Sequence, residues 1–354
     1  MKILDRYIGK SIIGGVLSVL LVLLILDTLV GFAGQSHVIG QAGYSMWHAL
    51  GYVLLRMPQQ LYELFPMIAL LGTMVGLGGL ANNSELIVIR AAGVSMTQFI
   101  VSISKTAFLV VLLAIFIGEV IAPPAIQYAK LQRVKALSRQ ITLNTDFGLW
   151  VRDGDSYVNV RRVETNGILT GITLYTFNEI NQLKSLTTAA RANYDGEDWY
   201  LSNVNRTVFT KKGLKVSHVK KEKWVTLLSP NLVNVVSVSP ENLSIWKLVS
   251  YIDYLEENGL DSSMYKLSFW TKVFMPITIT TMILIAIPFV MGSLRHASIG
   301  QRILIGFMGG LGFYLINRLS GQMGIVYGLP AILSAGLPTL LVLMWSLRVT
   351  KKLK

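Results

Sequence analysis

Residues 11–32 read SIIGGVLSVLLVLLILDTLVGF, an unbroken apolar run in which Asp27 is the only charge. A helix needs about 20 mainly apolar residues to cross a bilayer's hydrocarbon, so this segment predicts a membrane span. It is too long and too lightly punctuated for a cleaved signal peptide, and no A-x-A-like site precedes Gly31, so it is expected to stay in the mature protein. Working outward, five more stretches meet or approach the same length: Phe65 to Ala81, Phe99 to Ile121, Leu267 to Met291, Ile303 to Leu319 and Ile325 to Leu347. Composition agrees, since 52% of the 354 residues are hydrophobic and 14% charged, against about 25% charged in soluble domains. Cys is absent, which excludes a disulfide framework, a thiolate metal site and a cysteine nucleophile. Four His without an HExxH pattern offer little to zinc.

The net charge of +13 suggests nucleic acid only until the charges are located. With the N-terminus inside, Lys2, Arg6, Lys10, Arg90, Lys105, Arg295, Arg302, Arg348, Lys351, Lys352 and Lys354 flank the spans on the cytoplasmic side. The external loop Ser320 to Gly324 has none, and the first external region offers only Arg56. The positive-inside bias therefore predicts both termini in the cytoplasm, the long insert outside, and no nucleic-acid partner.

Within the insert the period changes from helical to alternating. Ser156 to Arg162, Gly171 to Phe177, Trp199 to Phe209, Gly213 to Val219 and Lys223 to Leu228 are short, rich in Val, Thr and Tyr, and bounded by Asp-Gly, Asn-Gly or Lys-Gly turns. They read as strands of a sandwich, jelly roll or barrel half. From Ser244 the helical period returns, with Ile245, Trp246, Val249, Ile252 and Leu255 on one stripe of an amphipathic helix near the outer membrane surface. The expected fold is thus an α-helical membrane protein with six transmembrane helices and an inserted all-β, jellyroll-like periplasmic domain. Its parts are residues 1–122 (spans one to three), 123–244 (the β-domain) and 245–354 (the amphipathic helix and spans four to six).

Glycines gather in span two (Gly72, Gly76, Gly78, Gly79) and span five (Gly306, Gly309, Gly310, Gly312), where small residues allow close helix approach. Tight packing within the chain and a movable or intersubunit seam both fit that pattern. Gly9-Lys10-Ser11 has the tail of a phosphate-binding loop, but Leu4 stands where its partner glycine would be, so ATP does not bind there. The acids near the spans are Asp27, Glu63 and Glu119; the last two are expected near span ends that water or headgroups reach, leaving Asp27 as the one candidate proton-coupling residue.

The loop between spans two and three carries more. Asn83-Ser84 supplies N-caps, Glu85 favours a first turn, and Gly93 suits a left-handed stop. Between them Leu86-Ile87-Val88-Ile89-Arg90-Ala91-Ala92 predicts a two-turn apolar helix, and Ser95 to Gln98 forms a capping box opening the next span. Such a helix is either a knob for a partner's groove or an element lying flat on the membrane interface. Just outside span three, after Pro123-Pro124, Lys130 and Arg133 share a helical face, with Lys135 and Arg139 behind. They either bind lipid phosphates, Arg in bidentate fashion, or are snorkelling and solvent-facing charges. A transport permease, a lipid-modifying enzyme and a membrane-anchored periplasmic scaffold all remain open on these residues; the scattered His37, His48, His218 and His296 do not supply an enzyme's convergent groups.

The order of short motifs adds a resemblance. Leu4-Asp5-Arg6-Tyr7-Ile8-Gly9-Lys10, Phe65-Pro66-Met67 with Ala69-Leu70-Leu71-Gly72, Ser84-Glu85-Leu86, Gly118-Glu119 with Ala122-Pro123, and Val326-Tyr327-Gly328 with Pro330 resemble, almost end to end, the permease subunits of the bacterial lipopolysaccharide exporter, the LptF/LptG family. The resemblance implies three spans, a periplasmic β-jellyroll and three more spans in the inner membrane. It implies a non-catalytic subunit of an ABC transporter, paired with a homologous permease (LptF), two copies of the ATPase LptB, and LptC, moving lipopolysaccharide towards the outer membrane. The chain itself then binds no cofactor, and ATP and Mg enter through the partner ATPase. Glu85, Leu86, Ile89 and Arg90 become the expected ATPase-coupling residues, with Glu85 as the acidic contact. Lys130 and Arg133 become the expected phosphate-binding pair. Where the family carries lysines at the outer end of span one this chain has Gly31, His37 and Val38, so only His37 can keep part of that charge. Spans one and five are implied to line the gates and an apolar acyl-chain cavity, which makes Asp27, Gly31, Phe65, Phe313, Asn317 and Arg318 the cavity or gate candidates.

Overall fold

The computed structural model describes residues 2–41, 43–137, 149–153, 156–163, 168–178, 182–195, 198–210, 213–224, 239–291 and 299–352. Arg139, Arg295, His296, Lys354 and the expected strand residues 225–228 lie outside the described residues. Six described helical segments are long and apolar enough to cross a membrane, three before the sheet and three after it. The first three are α1 (Lys2–Ala33), α2 (Met46–Asn82) and α4 (Met96–Ile115), with the short α3 (Glu85–Ala91) between the last two. After the sheet come α6 (Ile245–Glu257), α7 (Ser263–Met291), α8 (Ile299–Val326) and α9 (Ala331–Lys352).

Several span boundaries differ from expectation, beginning with span one, which starts at Lys2 instead of Ser11. Span two starts at Met46 instead of Phe65, so Arg56 lies on a helix and not in a loop, and Glu63 falls mid-helix. The apolar criterion missed the first turns because Arg56, Gln59, Gln60 and Glu63 dilute them, although Gln59 and Glu63 are paired by a 2.9 Å hydrogen bond. Residues 320–324 are helical, and the turn between spans five and six falls at 327–330, where Gly328 takes φ +63° and Pro330 precedes α9. Span six therefore begins at Ala331, not at Ile325.

Span three does not stop at its prolines. A π-helical turn, Phe116–Ile121, carries α4 directly into α5 (Ala122–Leu137). Pro123 and Pro124 lack N–H groups and their rings crowd the carbonyls four residues back, so a widened turn there absorbs them without breaking the helix. In that turn Gly118 lies against the Tyr62 ring, whose place any Cβ would take.

Five of the eight glycines of spans two and five, Gly72, Gly76, Gly78, Gly306 and Gly310, serve packing within the chain. Gly15 meets Gly72 and Gly76 backbone to backbone, which sets α1 tightly on α2, and Ser11 Oγ donates to the Gly76 carbonyl at 2.9 Å. Gly306 and Gly310 receive Met74 and Met67 of α2. Gly79, Gly309 and Gly312 have nothing pressed against them.

The described residues of the insert form one six-stranded antiparallel meander in chain order: β1 (Leu149–Asp153), β2 (Ser156–Val163), β3 (Leu169–Phe177), β4 (Leu183–Tyr194), β5 (Trp199–Thr210) and β6 (Gly213–Trp224). The sequence reading missed β1 and β4 and divided β6 in two. Lys and Glu at 220–223 interrupt an apolar rhythm there, but β6 is the last strand of the described sheet, is exposed along nearly its whole length, and needs no such rhythm. Val158, Val160, Ile172, Leu174, Leu201 and Val204 form the core of one face. The expected α6 is present after Ser244, but its buried stripe is Leu248, Tyr251, Ile252, Tyr254 and Leu255. Trp246 is almost fully exposed instead. Because α6 packs into the sheet's core cluster, its inward face is turned from the stripe expected, sharing only Ile252 and Leu255 with it.

Candidate functional site

Two places gather polar side chains on this frame, one at each end of the bundle. At the end away from the sheet, α3 forms as expected and stops at Gly93, whose φ is +84°. Ser84 does not cap it; Ser84 itself is left-handed, with φ 57°, and Asn83 Nδ2 instead donates to Glu85 Oε1 at 3.1 Å. The Ser95–Gln98 capping box is present with both bonds.

Glu85 is held from two sides, since the Tyr7 hydroxyl of α1 donates to its Oε2 at 2.5 Å. That bond, with the one from Asn83, keeps the Glu85 carboxyl below the usual carboxylate range. Lys105 of α4 bonds Asp5 of α1 at 2.6 Å nearby. Leu86 is buried (7% exposed) and Ile89 partly so, facing Met96, Phe99 and Met291. The outward face is Ile87, Val88 and Arg90, with Val88 66% exposed.

At the sheet end, Glu119 and Lys272 form a buried ion pair. Lys272 Nζ lies 2.6 Å from Glu119 Oε1, with side chains 5% and 16% exposed. Glu119 Oε2 accepts from the Ile245 amide, the first N–H of α6, at 2.8 Å. Glu119 is thus not left to water, as its place near a span end suggested: the widened turn aims it inward. The pairing was missed because Lys272 sits alone in an apolar span; a lone intramembrane lysine is itself the signal.

Lys130 and Arg133 do lie on one helix but meet different neighbours. Lys130 is within electrostatic reach of Glu241. The Arg133 guanidinium stacks 5.1 Å from the Tyr52 ring and interacts with the Tyr44 hydroxyl. Its buried Nε has no hydrogen-bond partner among the described residues. His37 is exposed in the turn after α1. Of the cavity candidates, Phe313, Asn317 and Arg318 line a cavity of about 470 Å³ between α2, α7 and α8. Asp27, Gly31 and Phe65 do not: Phe65 is fully buried in the bundle core, Gly31 faces Val53, and Asp27 is half-buried on α1. No group of three or more metal-ligating side chains is present among the described residues.

Comparison with known proteins agrees with this frame. The family described as lipopolysaccharide export system permease LptF/LptG matches residues 6–352. The lipopolysaccharide export system permease protein LptG of Haemophilus influenzae is 38% identical over 353 residues, 99% of each chain. Its counterpart in Escherichia coli strain K12 is 38% identical over 351 residues, 98% of each.

Proposed function

Because the chain belongs to the LptF/LptG family and is a permease subunit of a lipopolysaccharide export ABC transporter, we propose that α3 is the element through which a separate ATPase drives it. The observation that carries this reading is the exposed apolar face of α3: Ile87 and Val88 stand outward beside Arg90, while Leu86 and Ile89 root the helix in the bundle. A capped two-turn helix with that surface is suited to a partner's groove. Glu85 then offers a charged contact while staying tied to α1 through Tyr7.

The partners of this reading are a homologous permease, LptF, two copies of LptB, and LptC. ATP and Mg belong to LptB, and this chain makes and breaks no bonds. It is a multi-pass inner-membrane protein; both termini are assigned to the cytoplasm and the sheet to the periplasm. Spans one and five are assigned to the lipid path, and they are the least buried of the six within this chain. Lys130, Arg133 and His37 are assigned to lipopolysaccharide phosphates, with the partner permease supplying what the missing span-one lysines do not.

The test is a mild-detergent pull-down of the tagged chain from its native membrane, followed by an ATPase assay. Recovery of a second six-span permease and a small ATPase, with the ATPase lost in Glu85→Lys or Val88→Asp, is expected. A single chain without ATPase activity in several detergents sinks the reading.

A further inference from the structure

The cavity between α2, α7 and α8 has an apolar floor, which includes Pro66, Met67, Met275 and Phe313, and a polar rim. Gln59, on that rim, is only 5% exposed. Its Nε2 donates to Glu63 Oε1 at 2.9 Å and to the Glu241 carbonyl at 3.2 Å, which fixes the amide's orientation. Its Oε1 is buried and has no hydrogen-bond partner among the described residues, and the same holds for Asn317 Oδ1. Both oxygens are closed off from the cavity, so the rim's reach to a ligand lies with its charged side chains. Glu63 supplies a carboxylate on the rim, and Arg318 stands within electrostatic reach of it. Arg318 donates through Nη1 to the Tyr314 hydroxyl at 3.0 Å, which leaves most of its fork for an anion.

The rim therefore complements a cation rich in N–H donors beside an anion, above a slot that accepts hydrocarbon. We propose that this cavity binds one ethanolamine-headed phospholipid. Its ammonium is held by Glu63, its phosphate meets Arg318, and one acyl chain fills the slot between α2, α7 and α8. A choline head has no N–H to give the Glu63 carboxylate, and a glycerol head brings no cation to it. The site is distinct from the open lipid-facing surface: Met308, Ile316 and Leu319 stand exposed on the opposite face of α8. The occupant is thus a resident lipid bracing α8 against α7, not the transported cargo, and its binding does not depend on the ATPase reading.

The experiment is headgroup analysis by mass spectrometry of lipid retained by the full-length protein, alone or with its partners, against bulk membrane. Enrichment of phosphatidylethanolamine is expected. Glu63→Gln, which keeps the shape and removes the carboxylate, should lower its retention about tenfold, the loss expected for one charge-assisted hydrogen bond. Ser268→Phe, which fills the slot from α7, should abolish it. Phosphatidylethanolamine at no more than its bulk proportion, retained lipopolysaccharide or phosphatidylglycerol in its place, or unchanged retention in both variants overturns the proposal. Should either variant fail to fold, a photoactivatable phosphatidylethanolamine on the parent protein decides. Labelling within residues 59–67 and 310–322 supports the site, and labelling elsewhere overturns it.

Discussion

At Glu119 one carboxylate receives a lysine from α7 and the first amide of α6, so three elements meet on two oxygens. Burying such a pair is not by itself a source of stability, but removing one member strands the other's charge, at a cost of about 3–5 kcal/mol. Lys272→Met should therefore lower the thermal midpoint of the purified protein markedly, and Glu119→Gln with Lys272→Met should recover most of the loss. Equal midpoints for the single and double variants would show the pair to be screened. Glu85 behaves differently because it is only partly buried, at the surface of the bundle end. Its carboxyl is held below the usual carboxylate range by Tyr7 and Asn83, so the tie to α1 is intact above that range and is lost only as pH falls through the depressed value. ATPase docking that depends on charged Glu85 should be flat across neutral and mildly acidic pH. In Tyr7→Phe the acid-side loss should move up in pH, which co-purification at graded pH would read.

At the scale of elements, the close approaches decide which helices can be read from sequence. The six spans, α3, the Ser95 cap and the strand-rich insert were legible because each rests on local chemistry: apolar length, a capping residue, an alternating period. The start of span two and the end of span five were not, since polar residues such as Gln59 and Glu63, paired with each other one helical turn apart, and a late Gly328–Pro330 turn override hydropathy. Nor was the buried face of α6, whose apolar residues leave two stripes open until the sheet selects Leu248 and Tyr251 over Trp246. In the candidate sites, Glu85 and Arg318 were visible as residue types, whereas Tyr7 and Lys272, and Gln59 through the Glu241 carbonyl, became partners only when distant segments met. Two expectations follow from this packing. Gly118→Ala places a methyl on the Tyr62 ring and should cost about 1–3 kcal/mol as overpacking, seen as a lower thermal midpoint. Leu248→Ala, at a fully buried site under the sheet, should cost about 2–5 kcal/mol and raise amide exchange in α6 before it raises exchange in the spans.

At the scale of the whole molecule, α3 and the sheet lie at opposite ends of one bundle, so every functional assignment depends on which end faces the cytoplasm. The charges argue for α3: Arg6, Lys10, Arg90, Lys105 and Arg348 flank span ends on the α3 side, and a short cytoplasmic loop is where Lys and Arg accumulate. Arg302 belongs to the same end but is buried, giving a 2.7 Å bond to the Gly78 carbonyl, so it contributes packing as much as topology. The sheet is itself rich in Lys along β6, yet a large folded insert translocates regardless of its charge, so that lysine run does not oppose the assignment. The absence of Cys makes the test clean, since any thiol introduced is the only one in the chain. Ser217 on β6 and Ser84 before α3 are both exposed and stand at the two ends. With a membrane-impermeant maleimide on spheroplasts, Ser217→Cys should label at once and Ser84→Cys only after the inner membrane is opened. The reverse pattern would place the sheet in the cytoplasm, where α3 could meet no ATPase, and would end the export reading from topology alone.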